Sequence, residues 1–238
     1  MNEFYAMYMR ELKSYFDSSL AYLLIPIFLG LVGVFSLFFQ DIFAMGLLDM
    51  RTVLFWMSLF LLLLIPAVTM RSFAEEKRTG SIEMLVTLPV SEDQMVLAKY
   101  AAAMSVVVLA IVLSVTYPIS LSQLGDLDWG MVWAGYIGLI CMSAAFTAIG
   151  IAMSTMTNSQ VVAFLFSFAI GVLPFALGYT LHRVPANLLP VVQYMTFEYH
   201  FSNLAKGILD SRSVVFYGSV VAVFLHVAVF RLEQSRLR

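Results

Sequence analysis

Few side chains in this 238-residue sequence could carry out chemistry. The three histidines, His182, His200 and His226, and the single cysteine, Cys141, show no metal-ligand spacing, and one cysteine cannot make an intrachain disulfide. Glu198 and His200 form a polar pair, but a pair with no third ligand reads as ordinary interfacial polarity. No G-x-x-x-x-G-K-[ST] loop is present to cradle a phosphate, because Lys13, Lys77, Lys99 and Lys206 follow Leu12, Glu76, Ala98 and Ala205. No catalytic, cofactor-binding or metal-ligating residue is therefore expected. What stands out instead is a charged island, "RSFAEEKRTGSIEMLVTLPVSEDQMVLAKY" at residues 71–100.

The island lies in a chain that is 61% hydrophobic and 12% charged, with a mean hydropathy of +0.91, more apolar surface than one soluble core can bury. A membrane protein is expected. The net charge of -2 supplies no basic face, which excludes a nucleic-acid partner. Charged Glu3, Arg10, Glu11, Lys13 and Asp17 precede the first apolar run, so no cleavable leader is expected. Asp, Glu, Lys and Arg are missing between Asp17 and Asp41, Arg51 and Arg71, Lys99 and Asp126, Asp128 and Arg183, and Arg212 and Arg231. A crossing takes about 20 apolar residues, and the polar "STMTNSQ" at 154–160 divides the longest interval. The reading is an all-α polytopic bundle forming one domain over 1–238, with spans near 20–39, 53–73, 98–121, 131–153, 160–181 and 213–231. Gly30, Gly33, Gly135, Gly138 and Gly150 fall within these spans and are expected to let helices approach closely.

The loops set the orientation. Arg10, Lys13, Arg71, Lys77, Arg78, Lys99, Arg231, Arg236 and Arg238 share one side, against Arg51, Arg183, Lys206 and Arg212 on the other, which places both termini in the cytoplasm. Residues 1–17 read as an amphipathic helix along the inner leaflet, with Tyr5, Tyr8, Met9, Leu12 and Phe16 on one arc. That helix is either a simple anchor or an elbow that transmits motion to the first span. Residues 182–212, apolar yet interrupted by Arg183, Glu198, Lys206 and Asp210, are expected to form an extracytoplasmic, half-inserted cap.

Within the island, burying Arg71, Glu75, Glu76, Lys77 and Arg78 would cost about 12 kcal/mol, so the segment is expected to project into water or a partner. Thr79-Gly80 can break a helix and Ser81 can cap a short one with Glu83 in its first turn; Ile82, Leu85, Val86 and Leu88 make it apolar, and Pro89 ends it. Ser91 and Gln94 form a capping box for the next helix. Two apolar turns cannot bury themselves, which favours docking on a protein over packing on the bundle's own end.

The stretch "PAVTMRSFAEEKRTGSIEMLVTLPVSEDQMVLAKY" resembles the join between the second and third spans of ABC transporter type-2 permeases, in particular their gliding-motility (GldF-like) and nitrous-oxide-reductase-maturation (NosY-like) branch. "RELKSYFDSSLAY" and "FSNLAKGILDSRSVVFY" resemble the same family's elbow and the entry to its last span, with Ser19 where a proline is usual and Ala98 where a glycine is usual. The resemblance implies a non-catalytic permease subunit of the inner (plasma) membrane. It would pair with a second permease subunit, as a homo- or heterodimer, and with a separate ABC ATPase that binds ATP and magnesium. By that resemblance residues 74–97 are the coupling segment: Ile82, Glu83, Leu85 and Leu88 sit in a cleft of the ATPase, Gly80, Ser81 and Pro89 bound the short helix, and Glu75, Glu76 and Arg78 make polar contacts at the rim. The function implied is ATP-driven export or extracytoplasmic movement of a substrate. Mechanical transmission to an extracytoplasmic accessory protein stays open beside it, and a membrane-embedded enzyme is disfavoured because, apart from Arg71, Lys99 and Arg231 at span ends, His226 is the one Asp, Glu, Lys, Arg or His side chain inside a proposed span.

Overall fold

The computed structural model describes residues 3–38, 50–80, 91–180, 185, 187, 189–208 and 210–236. Ser81, Ile82, Glu83, Leu85, Leu88 and Pro89, and with them the short apolar helix, lie outside the described residues. The described chain is all-α, with no strand: α1 Glu3–Asp17, α2 Ser19–Phe38, α3 Met50–Thr69, α4 Ala74–Thr79, α5 Glu92–Leu113, α6 Thr116–Ser122, α7 Trp129–Met156, α8 Gln160–Tyr179, α9 Leu189–Met195, α10 Phe197–Ala205 and α11 Ser211–Arg236. Six stretches are long and apolar enough to cross a membrane, carried by α2, α3 with α4, α5 with α6, α7, α8 and α11. In hydrocarbon a helix satisfies its own backbone, which is why each charge-free interval takes this form.

The third span is not one continuous helix. It is interrupted at Ser114 and Val115, four residues before Pro118, whose ring nitrogen cannot donate to the Ser114 carbonyl. Tyr117 N–H bonds that carbonyl instead at 3.0 Å, and the Ser114 hydroxyl, itself buried, lies 3.1 Å from the Tyr136 hydroxyl on α7.

The bundle is built around α7, of whose apolar stretch 72% is buried, and α3, α5, α8, α10 and α11 all pack on it. Three of the five glycines singled out sit at its contacts. A methyl group on Gly135 would meet Leu54 at 2.4 Å, one on Gly138 would meet Leu204 at 2.9 Å, and one on Gly150 would meet Thr69 Oγ1 at 2.1 Å. Gly33 faces Tyr117 at 3.2 Å, whereas Gly30 has nothing within 4 Å. By contrast α2, α8 and α11 bury only 28%, 22% and 22% of their apolar stretches and turn large side chains such as Leu165, Phe166 and Val215 outward.

Helix α1 packs on α5 and α2. The side it turns to the protein holds Phe4, Met7, Tyr8, Glu11 and Tyr15, and the apolar arc is partly drawn in beside it, since Leu12 and Phe16 also pack against the core. Tyr5 remains 47% exposed, so of that arc it is the large side chain turned outward.

Candidate functional site

The charged residues of the island gather with α1 at the end of the bundle where α3 finishes and α5 begins. The chain leaves α3 through a turn at residues 70–73 in which Ser72 and Phe73 are buried, and the Phe73 N–H donates to Ser154 Oγ on α7 at 3.0 Å. Helix α4 follows, with Glu75 and Glu76 in its first turn and Lys77 and Arg78 in its last, the arrangement that suits the helix dipole. It stops at Gly80, whose φ of 73° is left-handed and therefore favours glycine; the Gly80 N–H donates back to the Lys77 carbonyl. Past residues 81–90, the chain re-enters helix at Ser91, whose Oγ accepts the Gln94 N–H at 3.4 Å and caps α5.

Two turns into α5, Lys99 is 2% exposed. Its ammonium donates to Glu76 Oε1 of α4 at 2.7 Å and to Glu11 Oε2 of α1 at 3.0 Å, and lies 5.0 Å from the centre of the Phe73 ring. Arg10 extends the chain by donating to Glu11 Oε1 at 2.7 Å, so charges alternate in sign along Arg10, Glu11, Lys99 and Glu76. A buried ammonium is tolerable only when paired and hydrogen-bonded, and here two carboxylates meet that demand. Burial alone would raise the Glu11 carboxyl, but Lys99 beside it, together with Arg10, outweighs that and holds it below its ordinary value. The elbow has two further attachments: the Tyr15 hydroxyl donates to the Val68 carbonyl and lies 3.3 Å from Ser72 Oγ, and the Tyr8 hydroxyl lies 2.9 Å from Ser105 Oγ of α5. Helix α4 is tied on its other side as well, where the Lys77 ammonium donates to the Thr155 carbonyl in the last turn of α7.

The expectation that all five charges project outward therefore holds for Arg71 and Arg78, which are exposed, and not for Glu76. Glu75 and Lys77 are half-buried and Gly80 is exposed. The reason is that the roughly 2.5 kcal/mol assigned to each buried charge applies to unpaired charges, whereas Lys99 was available to pair with Glu76. Glu11, Lys99, Tyr15 and Ser154 were not among the residues singled out from the sequence. Glu11 and Lys99 lie 88 positions apart, and no local pattern signals such a contact.

At the opposite end, α9 and α10 occupy part of 182–212, and α10 packs on α7 and α8. A cavity of about 170 Å³ opens there between α3, α8 and α10, lined by Arg51, Phe55, Phe175, Glu198, Phe201 and Lys206 among others. Burial raises the Glu198 carboxyl, with Lys206 only partly offsetting it. His200 differs from the interfacial group expected. It is 1% exposed and stacks on Phe216 at 4.2 Å. Its Nε2 lies 2.9 Å from the Tyr194 carbonyl, an acceptor, so Nε2 carries the proton and Nδ1 accepts from Ser213 Oγ at 3.1 Å. Both nitrogens are thus engaged, and with the Tyr217 hydroxyl donating to the Phe197 carbonyl at 3.0 Å they fasten α9 and α10 to the start of α11. Helix α7 thereby reaches from Ser154, against the island, to Gly138, against α10.

Residues 21–228 match the model of a family described as ABC-2 family transporter protein. No curated protein matches the chain.

Proposed function

Since the chain belongs to the ABC-2 family of transporter proteins and is a multi-pass permease subunit working with an ABC ATPase, we propose that residues 74–97 are the coupling segment on which that ATPase docks. The observation that supports this most is the stapled base of the segment: α4 and α5 are joined by Glu76 and Lys99 on either side of residues 81–90, α4 is tied to α7 through Lys77, and α5 to α1 through Lys99. A short apolar helix held on such a base can pass on a push instead of yielding to it. In this reading Ile82, Glu83, Leu85 and Leu88 enter a cleft of the ATPase between the boundaries set by Gly80, Ser81 and Pro89, while Glu75 and Arg78 contact its rim. Glu76 acts from within, as the link to Lys99. ATP and magnesium are handled by the partner subunit.

The island and both termini lie on the cytoplasmic side of the inner membrane, residues 1–17 form the elbow, and 182–212 form the extracytoplasmic cap. A second permease subunit covers part of the outward surface of α2, α8 and α11, whose low burial leaves room for it. The branch resembled is the gliding-motility (GldF-like) and NosY-like one. ATP hydrolysis drives export or extracytoplasmic movement of a substrate; mechanical transmission to an accessory protein is favoured to the extent that α7 runs without a break from the coupling base to the cap. Substrate-stimulated ATPase activity of the reconstituted complex supports export, and co-purification of an extracytoplasmic partner supports transmission. The reading itself is tested by purifying the chain alone and with its ATPase. The chain alone should hydrolyse no ATP and gain stability on assembly; hydrolysis by the chain free of other proteins would overturn it.

A further inference from the structure

We infer that the contact of Glu11 with Lys99 makes the elbow α1 a moving part of the coupling unit, with Lys99 as the positioning residue that carries nucleotide-driven displacement from the coupling segment into α1. The inference rests on the proposed role of residues 74–97 and goes beyond it, because an elbow could equally be a fixed anchor past which the segment slides.

The geometry argues against sliding. Lys99 is the first buried cation after the coupling helix, and its one ammonium serves both Glu76, from the helix that enters the segment, and Glu11, from the elbow. All three side chains are largely withdrawn from water, at 2%, 15% and 18% exposure for Lys99, Glu11 and Glu76. Moving Lys99 away from Glu11 would take a buried ammonium off one of its two carboxylates and leave Glu11 to the exposed Arg10 alone, whereas ion pairs exposed on both sides exchange partners readily. The Tyr15 and Ser72 hydroxyls, and those of Tyr8 and Ser105, repeat the connection on either side, so α1 meets both the entering and the leaving arm of the segment. Tyr5 of α1 remains outward. Displacing the coupling segment therefore drags an amphipathic helix along the membrane surface and pulls on the start of α2 through residue 18.

The test uses the assembled complex with its ATPase, in a Cys141→Ser background, with a single reporter cysteine in place of either Ser14 on α1 or Asp93 on α5, both exposed. Labelling by a water-soluble maleimide is compared between the nucleotide-free complex and the complex trapped with ATP and vanadate. In the otherwise unaltered complex both reporters should change rate severalfold together. Glu11→Met cuts the elbow's ion pair while leaving Lys99 and Glu76 paired, so the bundle keeps a balanced buried charge; the Asp93 reporter should still respond fully and the Ser14 response should shrink to the part that the Tyr8 and Tyr15 hydroxyls carry. Glu11→Gln, which keeps a carbonyl acceptor for Lys99, should restore part of the Ser14 response, a result that simple loss of stability would not give. A Ser14 reporter that responds fully in Glu11→Met, or that stays silent in the unaltered complex while Asp93 responds, overturns the inference alone. Silence of both reporters in a complex that hydrolyses ATP overturns the coupling reading beneath it.

Discussion

Replacing Gly150 with alanine should loosen the contact that holds the base of the coupling segment. A methyl group there would lie 2.1 Å from Thr69 Oγ1, 2.8 Å from Thr69 Cβ and 3.1 Å from Thr69 Cγ2. Ordinary contact begins near 3.4 Å, and the Thr69 Cβ is fixed directly to the α3 backbone, so rotation of a side chain cannot relieve the clash. Either α3 and α7 separate by about an ångström, at the roughly 1–3 kcal/mol typical of overpacking, or Thr69 also gives up the 2.9 Å bond to the Ile65 carbonyl, for about 1 kcal/mol more. The expected loss is about 2–4 kcal/mol, a shift of roughly 30- to 1,000-fold in the folding equilibrium. It should appear as a lower midpoint when the purified protein is heated in detergent. Thr69→Ala removes the contacts at 2.1 and 3.1 Å and leaves the one at 2.8 Å, so the double variant should recover part of the loss. Gly30→Ala, with nothing within 4 Å of the added methyl, should be neutral or slightly stabilising. If Gly150→Ala melts with Gly30→Ala, or Thr69→Ala gives no recovery, the close approach of α3 to α7 is refuted.

Orientation can be tested with Cys141 changed to serine: a cysteine at Gly80 should be shielded from an impermeant thiol reagent in intact cells and one at Gly125 should react, with the reverse pattern overturning the assignment of sides. Burial lowers the His200 imidazole below its ordinary 6.5, with the Tyr194 carbonyl and Asp210 acting against that. The stability that neutral His200 contributes is thus fully present above 6.5 and lost as pH falls through the lowered value. Between about pH 7.5 and about pH 5 the wild-type melting midpoint should fall more than that of His200→Gln, and parallel curves would contradict the engagement of both ring nitrogens.

The six spans were legible because charged residues punctuate them and no partner is needed to interpret a charge-free run of that length. Gly80 and the Ser91 cap were legible for a similar reason: backbone termination and capping depend on neighbours within four residues. What escaped was tertiary. The break before Pro118 has a local signal, but the run after Lys99 carries no charge up to Asp126 and reads as a single crossing. The helical wheel of residues 1–17 marks the apolar arc and not Glu11, because the face that packs is decided by α5, across the fold. Glu76 carries a burial cost when taken alone, and Lys99, 23 positions away, offsets it only once the fold brings the two together. His200 read as interfacial because neither Ser213 nor the Tyr194 carbonyl could be placed against it from the sequence.

The central claim is that residues 81–90 seat an ATPase, and the most direct measurement is the amount of that ATPase retained when the chain carrying Leu85→Asp is purified from the membrane. A carboxylate placed in a desolvated apolar cleft, together with loss of the leucine contact, costs at least a few kcal/mol, enough to weaken assembly by about two orders of magnitude. Residue 85 lies in the sequence between the charge-free runs 52–70 and 100–125, so the variant should reach the membrane at normal levels and come away without its ATPase. Retention of the ATPase at wild-type levels would contradict the account.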